Sequence, residues 1–240
     1  AFFQLIHKEH HNLGDSFHLM SQLVSGKGSL LGEEINPYLE NLIQYGNVKL
    51  AYDLWTRWLP DNKRVLLTWP YNRNFEQKPS GAPFDWRFIG RNIDIKLAQR
   101  PERNKYSDDL ALKVGFFAQQ ASSKLVTQTL VLPPGLYSLR GKYITENFSS
   151  KYGVIWRVYC LSKGNIALSI DTPLNSSDSW EDFSVPFEIP QSDCSGQIVS
   201  LELVIKILSD RKVRGNLWFD DLVIDRTAGQ ALKSAINGGK

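Results

Sequence analysis

Two periodicities divide the chain near residue 70. Before it, apolar positions recur at helical spacing: Tyr38, Leu39, Leu42 and Ile43 follow Pro37, which suits a helix opening, and Gly46 breaks the run. Asn47 suits an N-cap, and Leu50, Ala51, Leu54, Trp55 and Trp58 then share a face before Pro60 stops it. The spacing predicts two short antiparallel helices joined at Gly46–Asn47, with a further helix over roughly 17–24. A single hairpin of this kind resembles one tetratricopeptide-type repeat, and one unit cannot bury its own apolar face. It is expected to pack on the β-rich domain after it or to be the remainder of a longer array.

After Pro70 the period becomes two. Leu110, Leu112, Val114 and Phe116 alternate with Ala111, Lys113 and Gly115, and the segments 123–132 and 136–145 flank the turn Pro133-Pro134-Gly135. Further strands are predicted over 153–162, 165–170, 180–188, 197–207 and 216–225. Strands at this spacing without intervening helices predict a mainly β fold, an antiparallel jelly-roll β-sandwich with a short N-terminal helical segment. The expected division is a helical segment over 1–66, the sandwich over 67–226 and a tail over 227–240.

Composition agrees with a folded chain. Its 240 residues are 42% hydrophobic and 22% charged, near globular averages. Twelve Phe, nine Tyr and seven Trp stand against one Met, a bias that suits strands and also surfaces that stack on sugar rings. The net charge is +3: residues 1–70 carry six Lys/Arg against seven Asp/Glu, and the rest twenty-two against eighteen. No run of basic residues forms, so no nucleic-acid partner is expected. No apolar run reaches membrane-helix length, so membrane association is expected only through a segment outside this chain. From the opening on Ala1, without an initiator Met, either a processed protein or a chain with an N-terminal segment removed is expected.

The residues offer little catalytic chemistry. Asp108-Asp109, Glu181-Asp182 and Asp220-Asp221 are adjacent pairs, and strand neighbours point to opposite faces, so no pair works as acid and base together. All four histidines (His7, His10, His11 and His18) precede the β region, which excludes a Ser–His arrangement within it and leaves them as solvated side chains. A carboxylate-based glycosidase or lyase is the one enzyme class left open. Cys160 and Cys194, without any CxxC, form either one disulfide or two buried thiols; a disulfide implies an oxidising compartment. Glu76 precedes the first strand and Asp220 lies in the last, and these ends of a sandwich commonly adjoin. Two such carboxylates with backbone carbonyls would suit a structural Ca²⁺. The alternative is that Asp220, placed by alternation beside Trp218, Leu222 and Ile224, accepts backbone N–H bonds or pairs with an arginine.

Several motifs taken in order carry a resemblance: Asn74-Phe75-Glu76, Gly81-Ala82-Pro83-Phe84-Asp85-Trp86-Arg87, Leu132-Pro133-Pro134-Gly135-Leu136-Tyr137, Trp156-Arg157-Val158-Tyr159-Cys160, the Trp180…Phe183…Phe187 run ending at Ile189-Pro190, Cys194, and Trp218-Phe219-Asp220-Asp221. Over about residues 68–226 the pattern resembles the C-terminal jelly-roll domain of bacterial tetratricopeptide-repeat proteins associated with exosortase and exopolysaccharide loci. More distantly it is similar to carbohydrate-binding-module jelly rolls. The resemblance implies the Ca²⁺ role for Glu76 and Asp220, a periplasmic or extracellular place in the bacterial envelope, and a Cys160–Cys194 disulfide.

A sugar site needs a flat aromatic face for C–H groups with forked donors or carboxylates for hydroxyls. Alternation assigns Trp156, with Val154, Val158 and Cys160, to the core, and Trp218 likewise. Arg157 and Tyr159 face the other way. Arg140 shares a face with Lys142, whereas Tyr143 goes with Tyr137 and Leu139. The expected ligand-binding set is Trp86, Arg87, Arg140, Tyr143, Arg157, Tyr159 and Trp180. The function expected is a non-catalytic envelope module recognising a saccharide or an exopolysaccharide-assembly component. The competing expectation is a structural domain holding an envelope protein partner without binding glycans.

Overall fold

The computed structural model describes residues 32–102, 105–161, 168–171, 177 and 179–227. The helix expected over 17–24 and the four histidines lie outside them, as does the tail beyond Thr227. Helix α1 (Gly32–Gln44) and helix α2 (Val48–Trp58) form the predicted hairpin, followed by one turn of helix, α3 (Asp61–Arg64). Pro37 does not open α1 but lies within it. Starting earlier sacrifices one backbone hydrogen bond at the proline. In return it places Ile35 on the buried stripe of Tyr38, Leu39 and Leu42.

Among the described residues, ten antiparallel strands make two five-stranded sheets. In chain order they are β1 (Arg87–Phe88), β2 (Ile93–Glu102), β3 (Lys105–Gln120), β4 (Lys124–Leu130), β5 (Gly135–Ser149), β6 (Val154–Cys160), β7 (Leu168–Asp171), β8 (Glu181–Ile189), β9 (Gln197–Leu203) and β10 (Lys212–Arg226). One sheet runs β1-β4-β9-β6-β7 and the other β2-β3-β10-β5-β8. From β3 onward the chain changes sheets at nearly every connection, as a jelly roll does. Inward-facing residues of the strands, among them Leu112, Val114, Tyr137, Leu139, Trp156, Val199, Leu201, Leu217 and Phe219, fill the space between the sheets.

Two strands were not predicted, β1 and β2. The second carries its own alternation, with Ile93, Ile95 and Leu97 packed on the core while Asp94, Lys96 and Ala98 face out. At the other end the chain leaves the sheet after Leu203, short of the predicted 207. A larger correction concerns β10. Its pairing with β5 slips between Asp220 and Val223, where Asp221 takes a positive φ of 53°. This bulge moves Leu222 and Ile224 to the core face while Trp218 and Asp220 stay on the outer face. Trp218 is therefore buried outside the main core, beneath Ile144, Ala111, Ala98 and Trp180.

The helical hairpin packs on the sandwich. Leu54, Trp55, Leu42 and Val48 share a second core with Tyr71, Ala82 and Phe84 from the segment leading into β1. Trp55 meets Tyr71 edge-on at 5.0 Å and Phe84 at 5.5 Å. The apolar stripe that a lone hairpin leaves open is thereby covered. The covering segment is fixed to the sandwich by Gln128 of β4, whose buried amide accepts from Tyr71 N–H and donates to Tyr71 C=O at 2.8 and 3.0 Å.

Candidate functional site

Where the hairpin meets the sandwich, a cleft of about 510 Å³ opens between three walls. Lys49, Tyr52 and Asp53 form the first, three and four residues apart on one side of α2. The β4–β5 turn supplies the second with Val131, Leu132, Pro133 and Pro134, and the loop from Pro190 to Ser195 the third. Trp69 lines the cleft between them. Both aromatic rings are half-buried.

The walls are held in place by bonds made within the fold. Tyr137 Oη donates to Pro133 C=O at 2.7 Å and Arg226 Nη2 to Pro134 C=O at 3.1 Å, so both proline carbonyls are taken. Gly135 follows at φ +151°, and a side chain there would press on the Arg226 guanidinium. Trp69 C=O accepts from Ile224 N–H at 2.6 Å, tying it to β10. The third wall is fastened by a Cys160–Cys194 disulfide. Gln197 joins it to the second wall: its amide accepts from Leu132 N–H at 2.8 Å and donates to Cys194 C=O at 2.7 Å.

The polar groups along the cleft are mixed in sign. Lys49 Nζ donates to both oxygens of Asp53 at 2.9 and 3.0 Å, and Gln191, Asp193 and Ser195 are exposed on the opposite wall. Burial, with Asp53 alongside, pushes the Tyr52 phenol above its ordinary value, so it stays a neutral hydroxyl able to donate and accept. Two flat rings and a proline-rich wall lie among carboxylates, an amide and hydroxyls. That combination can hold a polyhydroxylated ring by stacking and hydrogen bonds.

The structure scatters the residues expected to bind ligand. Trp86 is fully buried: its ring meets Trp156 at 5.9 Å and Phe75 at 5.2 Å, and its Nε1 donates to Asn72 C=O. Tyr143 faces the core as alternation required, with its hydroxyl donating to Glu181 at 2.6 Å; burial and this carboxylate push its phenol up to about 12. Trp86 packs inward just before β1 and Tyr143 lies on the inner side of β5, so neither ring is open to solvent. Arg157 and Tyr159 do lie together on the outer face of the β4-β9-β6 sheet. Tyr159 Oη accepts from Lys124 at 2.7 Å, and Arg157 lies 3.6 Å from Glu202. Arg87, at that sheet's edge, pairs with Glu40 of α1 at 2.9 Å.

Arg140 and Trp180 lie on the outer face of the other sheet. A shallow hollow of about 390 Å³ there is bounded by Arg140, Lys142, Asp182, Ser184 and Asp221. Most of its charge is spent within the fold, since Arg140 pairs with Asp225, and Lys142 with Asp221 at 3.0 Å. Trp180 lies under the Arg100 guanidinium at 4.5 Å and donates its N–H to Pro101 C=O at 2.8 Å. Sequence reasoning missed Tyr52 and Trp69. Tyr52 falls just off the apolar stripe of its helix, and the signal that could have found both is the set of proline turns at 133–134 and 190 converging on one end.

The residues around Asp220 do not fit a Ca²⁺ ion. Arg100 Nη1 donates to Asp220 Oδ2 at 2.9 Å and the Asp221 N–H to Oδ1 at 2.7 Å, so a fixed cation already faces this carboxylate. Glu76 uses Oε1 to accept from Leu110 N–H at 3.0 Å. Among the described residues no three His, Cys, Asp or Glu side chains converge as a metal site. The arginine partner is the alternative the sequence left open.

No family model and no curated protein sequence matches this chain. Among solved structures it is similar to the CBM22-1 xylan-binding domain from Paenibacillus barcinonensis Xyn10C, at 11% identity over 65% of this chain and 94% of that one, with a TM-score of 0.43. A CBM4 module is similar at 12% identity over 66% and 99%, with a TM-score of 0.45. TmCBM61, in complex with beta-1,4-galactotriose, is similar at 17% over 65% and 96%, with a TM-score of 0.40.

Proposed function

We propose that this chain is a non-catalytic saccharide-binding module whose site is the cleft between α2 and the sandwich. The observation that carries this is the joint placement of Tyr52 and Trp69, half-buried, among Asp53, Gln191, Asp193 and Ser195. The charges lining the cleft nearly cancel, with one lysine against two aspartates, which favours a neutral saccharide over an acidic one. Turnover is not part of the reading. Asp220, whose pKa is pushed up to about 7, has the proton affinity of a general acid, yet its side chain is 3% exposed and already paired with Arg100.

The Cys160–Cys194 bridge supports a periplasmic or extracellular place, where such bonds persist. Among the described residues no helix is long and apolar enough to cross a membrane. A role in the bacterial envelope alongside exopolysaccharide assembly is part of this reading. The test is titration of the chain with a panel of neutral oligosaccharides, followed through tryptophan fluorescence. Saturable binding of at least one supports the function, and no binding across neutral, acidic and amino sugars overturns it in favour of a protein-interaction domain.

A further inference from the structure

A second cleft lies where the sandwich is open at one edge. It occupies about 660 Å³ between β1, the end strand of one sheet, and β2, the end strand of the other. Its walls are Phe88, Ile89, Ile95, Leu97 and Leu110 over the buried Trp86. Its rim is Lys78, Arg87 and Lys96, and among the described residues no carboxylate lines it. The size is that of an ordinary small-molecule pocket. Ile89 keeps 40% of its surface exposed at the mouth, a large apolar side chain left in water.

The chemistry of the walls narrows the occupant. Isoleucine and leucine side chains offer no hydrogen bonds, so a saccharide seated there would strand its hydroxyls. An alkyl chain has none to strand. The three rim cations set the sign of the polar end. Arg87 pairs with Glu40 and Lys96 with Asp94, but both pairs are about half exposed, so an incoming anion can replace those carboxylates at little cost. Lys78 makes no ion pair among the described residues. We propose that this cleft binds a medium-chain fatty acid anion, with its alkyl chain against Ile95, Leu97 and Leu110 and its carboxylate among Lys78, Arg87 and Lys96.

The experiment is calorimetric titration of the chain with decanoate and dodecanoate below their micellar concentrations, beside 1-decanol and decyltrimethylammonium. Burial of each methylene contributes about fourfold in affinity, so dodecanoate should bind about 15-fold more tightly than decanoate. The alcohol and the cation should bind at least tenfold more weakly. Lys78→Glu combined with Lys96→Glu should weaken decanoate at least tenfold, and Ile89→Asp, at an already exposed position, should do the same with an unchanged circular dichroism spectrum. Trp69→Ala should leave decanoate binding as it was, which separates this site from the saccharide cleft. Equal affinity for the anion and the cation overturns the proposal, as does the absence of chain-length dependence. So do displacement of decanoate by an acidic oligosaccharide and self-association that Ile89→Asp abolishes without any fatty acid binding.

Discussion

The side-chain amide of Gln197 clasps the backbone of Leu132, accepting from its N–H at 2.8 Å and donating to its carbonyl at 3.4 Å. The same amide reaches Cys194 C=O at 2.7 Å, so one buried side chain aligns two walls of the cleft between α2 and the sandwich. Gln197→Leu keeps the volume and strands the Leu132 N–H. It is expected to cost about 1–3 kcal/mol in urea denaturation. Saccharide affinity should fall as well, although Gln197 does not line the cleft. Loss of stability with unchanged affinity would show that the walls do not need this clasp.

Reduction of the Cys160–Cys194 bond should act on both properties too. Closing a loop across 34 residues of sequence typically stabilises by ~2–4 kcal/mol. Cys160→Ser with Cys194→Ser should lose about that much. The loop from Pro190 to Ser195 is then released from β6, and binding should weaken more than it does in a variant destabilised equally from the opposite end of the core. Denaturation and titration on the same samples decide it.

Asp220 predicts a pH dependence of stability. Burial raises its pKa to about 7, Asp221 and Glu76 add to the rise, and the Asp221 N–H and Arg100 oppose it. In the unfolded chain the group titrates near ~3.9. Between these values the native state keeps a proton that the unfolded state has released, so stability falls as pH rises from about 4 to about 7 and levels off above. Asp85, whose pKa burial also raises, adds a contribution of the same sign. Wild-type stability measured against Asp220→Asn should therefore decline between pH 5 and pH 8. A difference that stays constant over this range would contradict the assignment.

The core placement of Trp86, which reverses the sequence reading, and the outer placement of Arg157, which agrees with it, predict different mutational outcomes. Trp86→Ala empties the space beside Trp156 and Phe75 and should cost about 3–5 kcal/mol. Arg157→Ala removes a partly exposed side chain from a 3.6 Å pair and should change stability by less than about 1 kcal/mol. Thermal or chemical denaturation of the two variants gives the comparison.

Much of the fold was legible because periodicity reports burial directly. The switch from helical spacing to alternation near residue 70 located the hairpin and most strands, and alternation placed Trp156 inside and Arg157 and Tyr159 outside. It failed where the period itself breaks. The bulge at Asp221 adds one residue to β10, which carried Leu222 and Ile224 away from the face of Trp218 and Asp220. The site was less legible. Alternation says which face a side chain takes but not which faces of distant elements meet. Tyr52 comes from a helix, Trp69 from a connecting segment and Gln191 from a loop, and only the docking of the hairpin on the sandwich brings them together.

Binding isotherms on one oligosaccharide that the chain is found to bind test whether the cleft between α2 and the sandwich is the binding site. Wild type, Trp69→Ala, Tyr52→Ala and the double variant Arg157→Ala with Tyr159→Ala should be compared under the same conditions. Each of the first two substitutions should weaken binding about tenfold, near 1.4 kcal/mol, with folding confirmed by an unchanged circular dichroism spectrum. The double variant on the β4-β9-β6 sheet should stay within twofold of wild type. Loss of binding in the double variant, with Trp69→Ala and Tyr52→Ala unaffected, would rule out the cleft and move the site to the outer face of that sheet.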